Sequence, residues 1–136
     1  GGGTMSKSKI LIVEDDADVR LGYQIVLKAN GYETFFAADT IGAISQARKQ
    51  NPDLIILDLG LPGGDGYVVL ERLRTNLHLG MIPIIVVSAR DLHANRERAL
   101  KAGAKAYMQK PWNDSELLLL IRTFLGQPDA SAAAPQ

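Results

Sequence analysis

Acidic, hydroxyl and basic residues stand at the ends of the short apolar segments of this sequence. They are Glu14, Asp15 and Asp16 after the first segment, Asp58 after the third, Ser88 at the end of the fourth and Lys110 at the end of the fifth. Clustered carboxylates repel one another unless a cation is present, and oxygen ligands favour a hard ion such as Mg²⁺. A further carboxylate can then attack phosphorus while lysine and serine contact the phosphate oxygens. No histidine lies beside these positions, so phosphoryl transfer fits them better than acyl transfer.

Each of these residues also has a structural explanation when it is considered alone. Acidic residues before a helix are commonly N-caps, and Asp16 is expected to cap the first helix rather than bind metal. Asp58 precedes a turn that it can cap, and Ser88 can be a hydrogen-bonded residue at a strand end. Lys110 precedes a proline, which is typical of a surface residue before a rigid turn. Because all of them stand at the ends of predicted strands, a shared site is favoured over separate structural roles.

Five apolar segments alternate with segments of helical periodicity. The predicted strands are Ile10–Val13, Glu33–Ala37, Leu54–Leu57, Ile84–Val87 and Ala106–Gln109. The predicted helices are Ala17–Ala29, Thr40–Gln50 with Thr40 as its N-cap, about Tyr67–Thr75, Leu92–Ala102, and a last helix capped by Asn113 or Ser115 and ending at Leu125. This alternation predicts an α/β fold with a parallel sheet covered on both faces. Ligands of such sheets bind beyond the carboxyl ends of the strands, where the polar residues above are placed.

The composition is that of one ordinary globular domain. The chain has 136 residues, of which 15 are basic and 15 acidic, so no overall field attracts nucleic acid or an anionic membrane. It has no cysteine, which excludes disulfides and thiolate sites. No apolar run approaches the roughly 20 residues that span a bilayer, and a cytoplasmic location is expected. Residues 1–7 are expected to be a disordered tag or N-terminal segment, and residues 126–136 a flexible tail or the start of a linker.

The last predicted helix carries more apolar residues than one buried face requires. Its core stripe is predicted to comprise Leu117, Leu120, Ile121 and Phe124. Leu118 and Leu125 lie on another side of the helix. Coverage of these two leucines by neighbouring structure is favoured slightly over an exposed interface patch.

A series of motifs makes residues 8–125 resemble the receiver domain of two-component response regulators, whose fold is that of the chemotaxis protein CheY. The motifs are Ile10–Asp16, Asp53–Asp58, Leu61–Gly66, Pro83–Ala89, Gly103-Ala104 and Tyr107–Pro111. Their order and spacing together are specific, although each alone is weak. The resemblance implies a doubly wound, flavodoxin-like (βα)5 fold with a five-stranded parallel sheet of strand order 2-1-3-4-5.

The resemblance also implies roles for the residues at the sheet edge. Asp58 would accept a phosphoryl group from a phosphohistidine on a sensor histidine kinase or a histidine phosphotransfer protein. Asp15 would bind Mg²⁺ directly and Glu14 through water, while Asp58 and the backbone carbonyl of Gly60 would complete the protein ligands. Lys110 would pair with the phosphoryl group. The chain would be a signalling switch rather than an enzyme, and it would catalyse its own Mg²⁺-dependent phosphorylation and dephosphorylation.

The resemblance further implies how such a switch is read by its partners. Ser88 would shift to hydrogen-bond the phosphoryl group and Tyr107 would follow it inward, although an aromatic on a sheet is as often only packed there. The surface of the fourth helix, fifth strand and fifth helix would change, and a homodimer would use this surface. Direct nucleic-acid binding by this domain and membrane association are not expected. Gly60 and Arg90 occupy positions whose side chains, in the family, tune how fast water attacks the acyl phosphate.

Other functions on the same fold fit the residues less well. An aspartyl phosphatase often needs a second acid two residues after Asp58, where this chain has Gly60. A flavodoxin-like electron carrier needs a phosphate-binding loop after the first strand, where Glu14–Asp16 would repel phosphate. The closest alternative is a receiver-fold interaction module that is never phosphorylated. A stand-alone receiver, part of a DNA-binding regulator and the receiver of a hybrid kinase are all compatible with the sequence.

Overall fold

Strands and helices alternate along residues 7–62 and 65–128, which are the residues that the computed structural model describes. The strands are β1 (Lys9–Val13), β2 (Glu33–Ala37), β3 (Leu54–Leu57), β4 (Ile84–Ser88) and β5 (Ala106–Gln109). The helices are α1 (Ala17–Ala29), α2 (Thr40–Gln50), α3 (Gly66–Thr75), α4 (Leu92–Lys101) and α5 (Asp114–Leu125). The predicted elements are therefore confirmed, with ends that differ by one residue at most. The expectations for residues 1–6 and 129–136 lie outside the described residues.

The strands form one parallel sheet in the order β2-β1-β3-β4-β5, which confirms the predicted order. All four residues of β3 and all five of β4 are buried, because helices cover both faces of the sheet there. β2 lies on one side of β1 and β3 on the other, so the chain changes direction across the sheet at β1. This arrangement opens a crevice at the carboxyl ends of β1 and β3.

Alternate strand residues pack against opposite helical layers. Leu11, Ile55 and Val86 belong to a core that contains side chains of α2, α3 and α4. Ile10 and Ile85 belong to the other core, which contains side chains of α1 and α5. This alternation follows from the two-residue period of a strand.

The apolar residues of α5 divide between a buried and an exposed face. Leu118 and Leu125 are partly buried against the core beneath α1 and α5, so the favoured prediction that neighbouring structure covers them is confirmed. Leu119 is 47% exposed instead. Within the part of the chain that the structure describes, no helix has the length and apolar character that crossing a membrane requires.

Each helix begins at an aspartate or asparagine whose side chain accepts a backbone N–H of the first turn. These N-caps are Asp16, Asp39, Asp65, Asp91 and Asn113. The prediction of Thr40 as the N-cap of α2 is wrong. Asp39 has the extended backbone of a cap and its carboxylate reaches the N–H of Gly42, whereas Thr40 is already helical.

Candidate functional site

The predicted site residues lie just past the strand ends, and backbone hydrogen bonds hold them there. The N–H of Glu14 donates to a β2 carbonyl at 2.9 Å, and the N–H of Asp58 donates to a β1 carbonyl at 3.0 Å. The N–H of Lys110 donates to the carbonyl of Ser88 at 2.8 Å. The interstrand ladder therefore continues one residue beyond β1, β3 and β5, and it fixes the backbone from which each side chain projects.

Lys110 joins two buried carboxylates. Its ammonium group hydrogen-bonds to Oε1 of Glu14, and its Nζ lies 3.5 Å from Oδ2 of Asp58. Glu14 is 2% exposed and Asp58 8% exposed. Oε2 of Glu14 accepts the N–H of Asp16 at 3.1 Å, and Oδ1 of Asp58 accepts the N–H of Gly60 at 3.2 Å. Each carboxylate therefore has one oxygen on a backbone N–H and the other near the lysine.

Burial and charge act against each other in the pKa values of this pair. Burial raises the pKa of Glu14 and the charge of Asp58 adds to this, while Lys110 and the N–H of Asp16 act in the opposite direction. Burial alone would lower the pKa of Lys110, but the hydrogen bond to Glu14 and the nearby carboxylates raise it overall. Lys110 is therefore a permanent positive charge at neutral pH.

Glu14, Asp15 and Asp58 come together as the sequence predicted for a metal site. One carboxylate oxygen from each lies within 4.8 Å of the others. Asp15 is exposed to solvent, whereas the other two are buried. Three acidic groups thus meet at one point, two of them beside the ammonium group of Lys110, and every candidate metal ligand is an oxygen. Such a donor set fits a hard divalent cation such as Mg²⁺.

Ser88 and Tyr107 both hydrogen-bond to the backbone of Arg90. Ser88 is 1% exposed, and its Oγ accepts the N–H of Arg90 at 3.2 Å. The hydroxyl of Tyr107 donates to the carbonyl of Arg90 at 2.6 Å. Tyr107 is buried, which raises the pKa of its hydroxyl. Tyr107 therefore already lies inward in this structure.

Asp65 and Gly66 shape the site in ways that the sequence did not reveal, although both belong to a motif. A side chain carbon added at Gly66 would lie 2.5 Å from the carbonyl oxygen of Asp58 and 2.5 Å from Cα of Leu59. Only glycine lets α3 begin against the connection that carries Asp58. Asp65 caps α3 and forms an ion pair with Arg90 at 3.3 Å.

A stacked aromatic pair supports the segment that carries Lys110. Trp112 follows the cis peptide between Lys110 and Pro111, and its ring stacks on that of Tyr23 with centroids 4.2 Å apart and an interplanar angle of 2°. Tyr23 is fully buried, which raises the pKa of its hydroxyl, and the charges of Glu14 and Asp58 raise it further. The stack anchors this segment to α1.

Comparison with known proteins assigns this arrangement to a family. The model of the response regulator receiver domain matches residues 10–122, which include the site residues from Glu14 to Lys110. The chain belongs to the response regulator receiver domain family. Receiver domains are signalling switches that receive phosphoryl groups from histidine kinases, and this domain has that phosphoacceptor role in two-component signalling.

Individual relatives and structures agree with the family assignment. This receiver domain is 36% identical over 117 residues to the phosphate regulon transcriptional regulatory protein PhoB of Escherichia coli K12, a match that covers 86% of this chain and 51% of PhoB. The chain spans about half the length of the curated relatives it matches.

Two solved structures share the fold over most of the chain. A Chloroflexus aurantiacus J-10-fl protein described as a response regulator superposes with a TM-score of 0.84 and 34% identity, covering 90% of this chain and 100% of that one. The receiver domain of the Pseudomonas aeruginosa sensor histidine kinase PA1611 superposes with a TM-score of 0.81 and 32% identity, again over 90% and 100% of the two chains. That structure has a magnesium ion coordinated in its active-site cleft.

Proposed function

We propose that Asp58 is the residue of this receiver domain that accepts the phosphoryl group, and that a sensor histidine kinase or a histidine phosphotransfer protein donates it. The observation that carries the proposal is the position of Oδ2 of Asp58. This oxygen lies 3.5 Å from Nζ of Lys110, close enough for charge attraction but too far for a strong hydrogen bond. Both oxygens of Glu14, by contrast, are engaged by direct hydrogen bonds. Oδ2 of Asp58 therefore has electron pairs available to attack phosphorus, and the positive charge of Lys110 lies beside it.

The proposed transfer forms one bond and breaks one. Oδ2 of Asp58 bonds to phosphorus while the phosphorus–nitrogen bond of the donor phosphohistidine breaks. The electron pair of that bond stays on the imidazole nitrogen, which then takes up a proton from solvent. Lys110 contacts a phosphoryl oxygen and Ser88 donates its hydroxyl proton to another. The N–H of Gly60 holds Oδ1 of Asp58, so the attacking oxygen keeps its direction.

The acidic residues of the proposed site would also hold a metal ion. Asp15 and Asp58 would bind Mg²⁺ directly, Glu14 would bind it through water, and the backbone carbonyl of Gly60 would be a further ligand. When bound, Mg²⁺ neutralises the negative charge that the phosphoryl oxygens bring to the carboxylates. The same residues would favour the later attack of water on phosphorus. The bond between phosphorus and Oδ2 of Asp58 would then break with its electron pair left on the carboxylate, and inorganic phosphate would leave. The domain therefore catalyses both its phosphorylation and its dephosphorylation.

The proposed output surface consists of α4, β5 and α5. Ser88 and Tyr107 form the switch that connects the phosphoryl group with this surface. A groove of about 420 Å³ lies there, lined among others by Leu92, Tyr107 and Leu119. We propose a homodimer through this surface, together with a cytoplasmic location and no direct contact of this domain with nucleic acid or membrane.

Intact-mass spectrometry tests the proposed acceptor. The protein is incubated with Mg²⁺ and acetyl phosphate and its mass is recorded promptly. Asp58→Asn is the test variant, and Asp53→Asn is the matched control because Asp53 lies at the opposite end of β3. We expect one phosphoryl adduct on the parent and on Asp53→Asn, and none on Asp58→Asn or without Mg²⁺. No adduct on the parent, together with no binding of beryllofluoride, would instead support a phosphorylation-independent interaction module.

A further inference from the structure

Three groups of the site region meet at Arg90, two residues beyond the end of β4. Its N–H donates to Oγ of Ser88 at 3.2 Å, and its carbonyl accepts the hydroxyl of Tyr107 at 2.6 Å. Its guanidinium lies 3.3 Å from both carboxylate oxygens of Asp65. The backbone of Arg90 thus contacts Ser88 and Tyr107, the two proposed switch residues. The side chain of Arg90 forms an ion pair with Asp65, which lies in another loop.

The contact with Arg90 determines what the Ser88 hydroxyl can still do. A hydroxyl has one proton to donate and two lone pairs that can accept. The N–H of Arg90 occupies one of these lone pairs and so fixes the position of Oγ. The hydroxyl proton can then turn from its neighbour Tyr107 to a phosphoryl oxygen. The position of the Arg90 backbone therefore decides whether Ser88 presents its proton to the site.

Asp65 is itself anchored to the connection that carries Asp58. Its Oδ1 accepts the N–H of Tyr67 as the N-cap of α3. The next residue, Gly66, donates its N–H to the carbonyl of Leu59 at 2.8 Å. An ion pair between Asp65 and Arg90 therefore ties the β4–α4 connection to the β3–α3 connection, which begins at Asp58.

We propose that Asp65 and Arg90 form a clasp that positions Ser88 and Tyr107 for the phosphorylated state. Both are positioning residues, because they act through the Arg90 backbone and not on the phosphoryl group itself. The inference rests on the proposed function, since it assigns a role to residues around the same acceptor. The side chains of Arg90 and Asp65 are 39% and 38% exposed, so their ion pair is weakened by solvent. The clasp therefore changes the equilibrium between the two switch conformations only a few-fold.

Asp65→Asn tests the clasp because asparagine caps a helix as well as aspartate does but carries no charge. Asp91→Asn is the matched control: Asp91 is the N-cap of α4 in the neighbouring connection, and its carboxylate accepts the N–H of Ala94. The probe is beryllofluoride with Mg²⁺, titrated into each protein. We expect Asp65→Asn to weaken apparent beryllofluoride affinity about two- to five-fold and Asp91→Asn to leave it unchanged.

Arg90 variants separate the clasp from a general loss of stability. Arg90→Gln keeps the backbone contacts possible but removes the guanidinium, so we expect the same loss as for Asp65→Asn. The double variant should lose no more than either single variant, because both remove one interaction. Arg90→Lys keeps the charge and should restore most of the affinity. Additive losses, or equal losses in Asp65→Asn and Asp91→Asn, would overturn the clasp.

A second readout tests the clasp without any phosphate analogue. Fluorotyrosine is incorporated and the ¹⁹F signal of Tyr107, assigned with Tyr107→Phe, is followed in the unliganded parent and variants. We expect the Tyr107 signal to move toward that of a solvent-exposed ring in Asp65→Asn and Arg90→Gln but not in Asp91→Asn. An unchanged signal in all variants would overturn the clasp. If the parent fails to bind beryllofluoride, the proposed function fails while this signal still decides the clasp.

Discussion

Removing the positive charge of Lys110 should destabilise the fold by an amount that depends on pH. In Lys110→Met, the carboxylates of Glu14 and Asp58 stay buried without their shared cation. At the 3.5 Å separation from Asp58, the attraction is about 5 kcal/mol for an effective dielectric constant of about 20. Breaking a buried pair costs roughly 3–5 kcal/mol. Lys110 is 19% exposed and Glu14 can take up a proton, so we expect about 2–3 kcal/mol at pH 7.5 without metal.

The pH dependence has a definite sign. The pKa of Glu14 is already raised in the folded state, and losing Lys110 raises it further. A carboxyl group whose pKa is higher in the folded than in the unfolded state destabilises the fold above that pKa and not below its unfolded pKa. The cost of Lys110→Met should therefore shrink as the pH falls from 7.5 toward 4.5. Mg²⁺ supplies positive charge in place of the lysine, so it should also reduce the cost of Lys110→Met.

Urea unfolding in EDTA measures this cost, with Lys105→Met as the matched control because Lys105 is exposed at the start of the same region. We expect the control to change the free energy of unfolding by less than about 0.5 kcal/mol. In a Glu14→Gln background the cost of Lys110→Met should fall by at least half, since one of the two buried carboxylates is gone. A cost equal to that of Lys105→Met, or one that Glu14→Gln does not alter, would refute this account of the charge balance.

Three further predictions concern the metal site, α3 and the aromatic stack. Mg²⁺ at ten times its dissociation constant should stabilise the parent by about 1.4 kcal/mol, and Asp15→Asn should lose most of this stabilisation in thermal unfolding monitored with and without EDTA. Gly66→Ala should lower the free energy of unfolding in urea by about 2 kcal/mol or more, because backbone atoms lie 2.5 Å from the added carbon. Gly22→Ala lies inside α1 with open space around the added carbon, so it should raise that free energy by about 0.5–1 kcal/mol. A double-mutant cycle of Trp112→Leu and Tyr23→Leu should give a coupling of about 1 kcal/mol, and strict additivity would contradict the stack.

The sheet and the site edge could be predicted because the signals for them are local. Leu54–Leu57 and Ile84–Val87 are unbroken apolar runs since both faces of those strands are buried. A parallel sheet brings the carboxyl ends of its strands to one edge, so strand assignment predicted that the acidic residues after β1 and Asp58 lie together. The choice of Glu14, Asp15 and Asp58 as metal ligands came from the family resemblance. The strand order came from the family resemblance and not from the apolar pattern.

The contacts between loops could not be predicted, because they depend on distances that the pattern does not encode. Lys110 pairs with Glu14 across 96 positions of the chain, and Asp65 with Arg90 across 25. The cap of α2 was missed for a related reason. Asp39 and Thr40 are both good N-caps, and the backbone conformation at Asp39 decides between them.

Chemical identification of the phosphorylated residue tests the central claim most directly. The parent is incubated with Mg²⁺ and acetyl phosphate, and borohydride then reduces the acyl phosphate to the corresponding alcohol, which converts aspartate to homoserine. Peptide sequencing by mass spectrometry locates the homoserine. The account predicts homoserine at position 58, dependent on both Mg²⁺ and donor. Homoserine at position 15 instead, or in place of any other aspartate, would contradict the assignment of Asp58 as the acceptor.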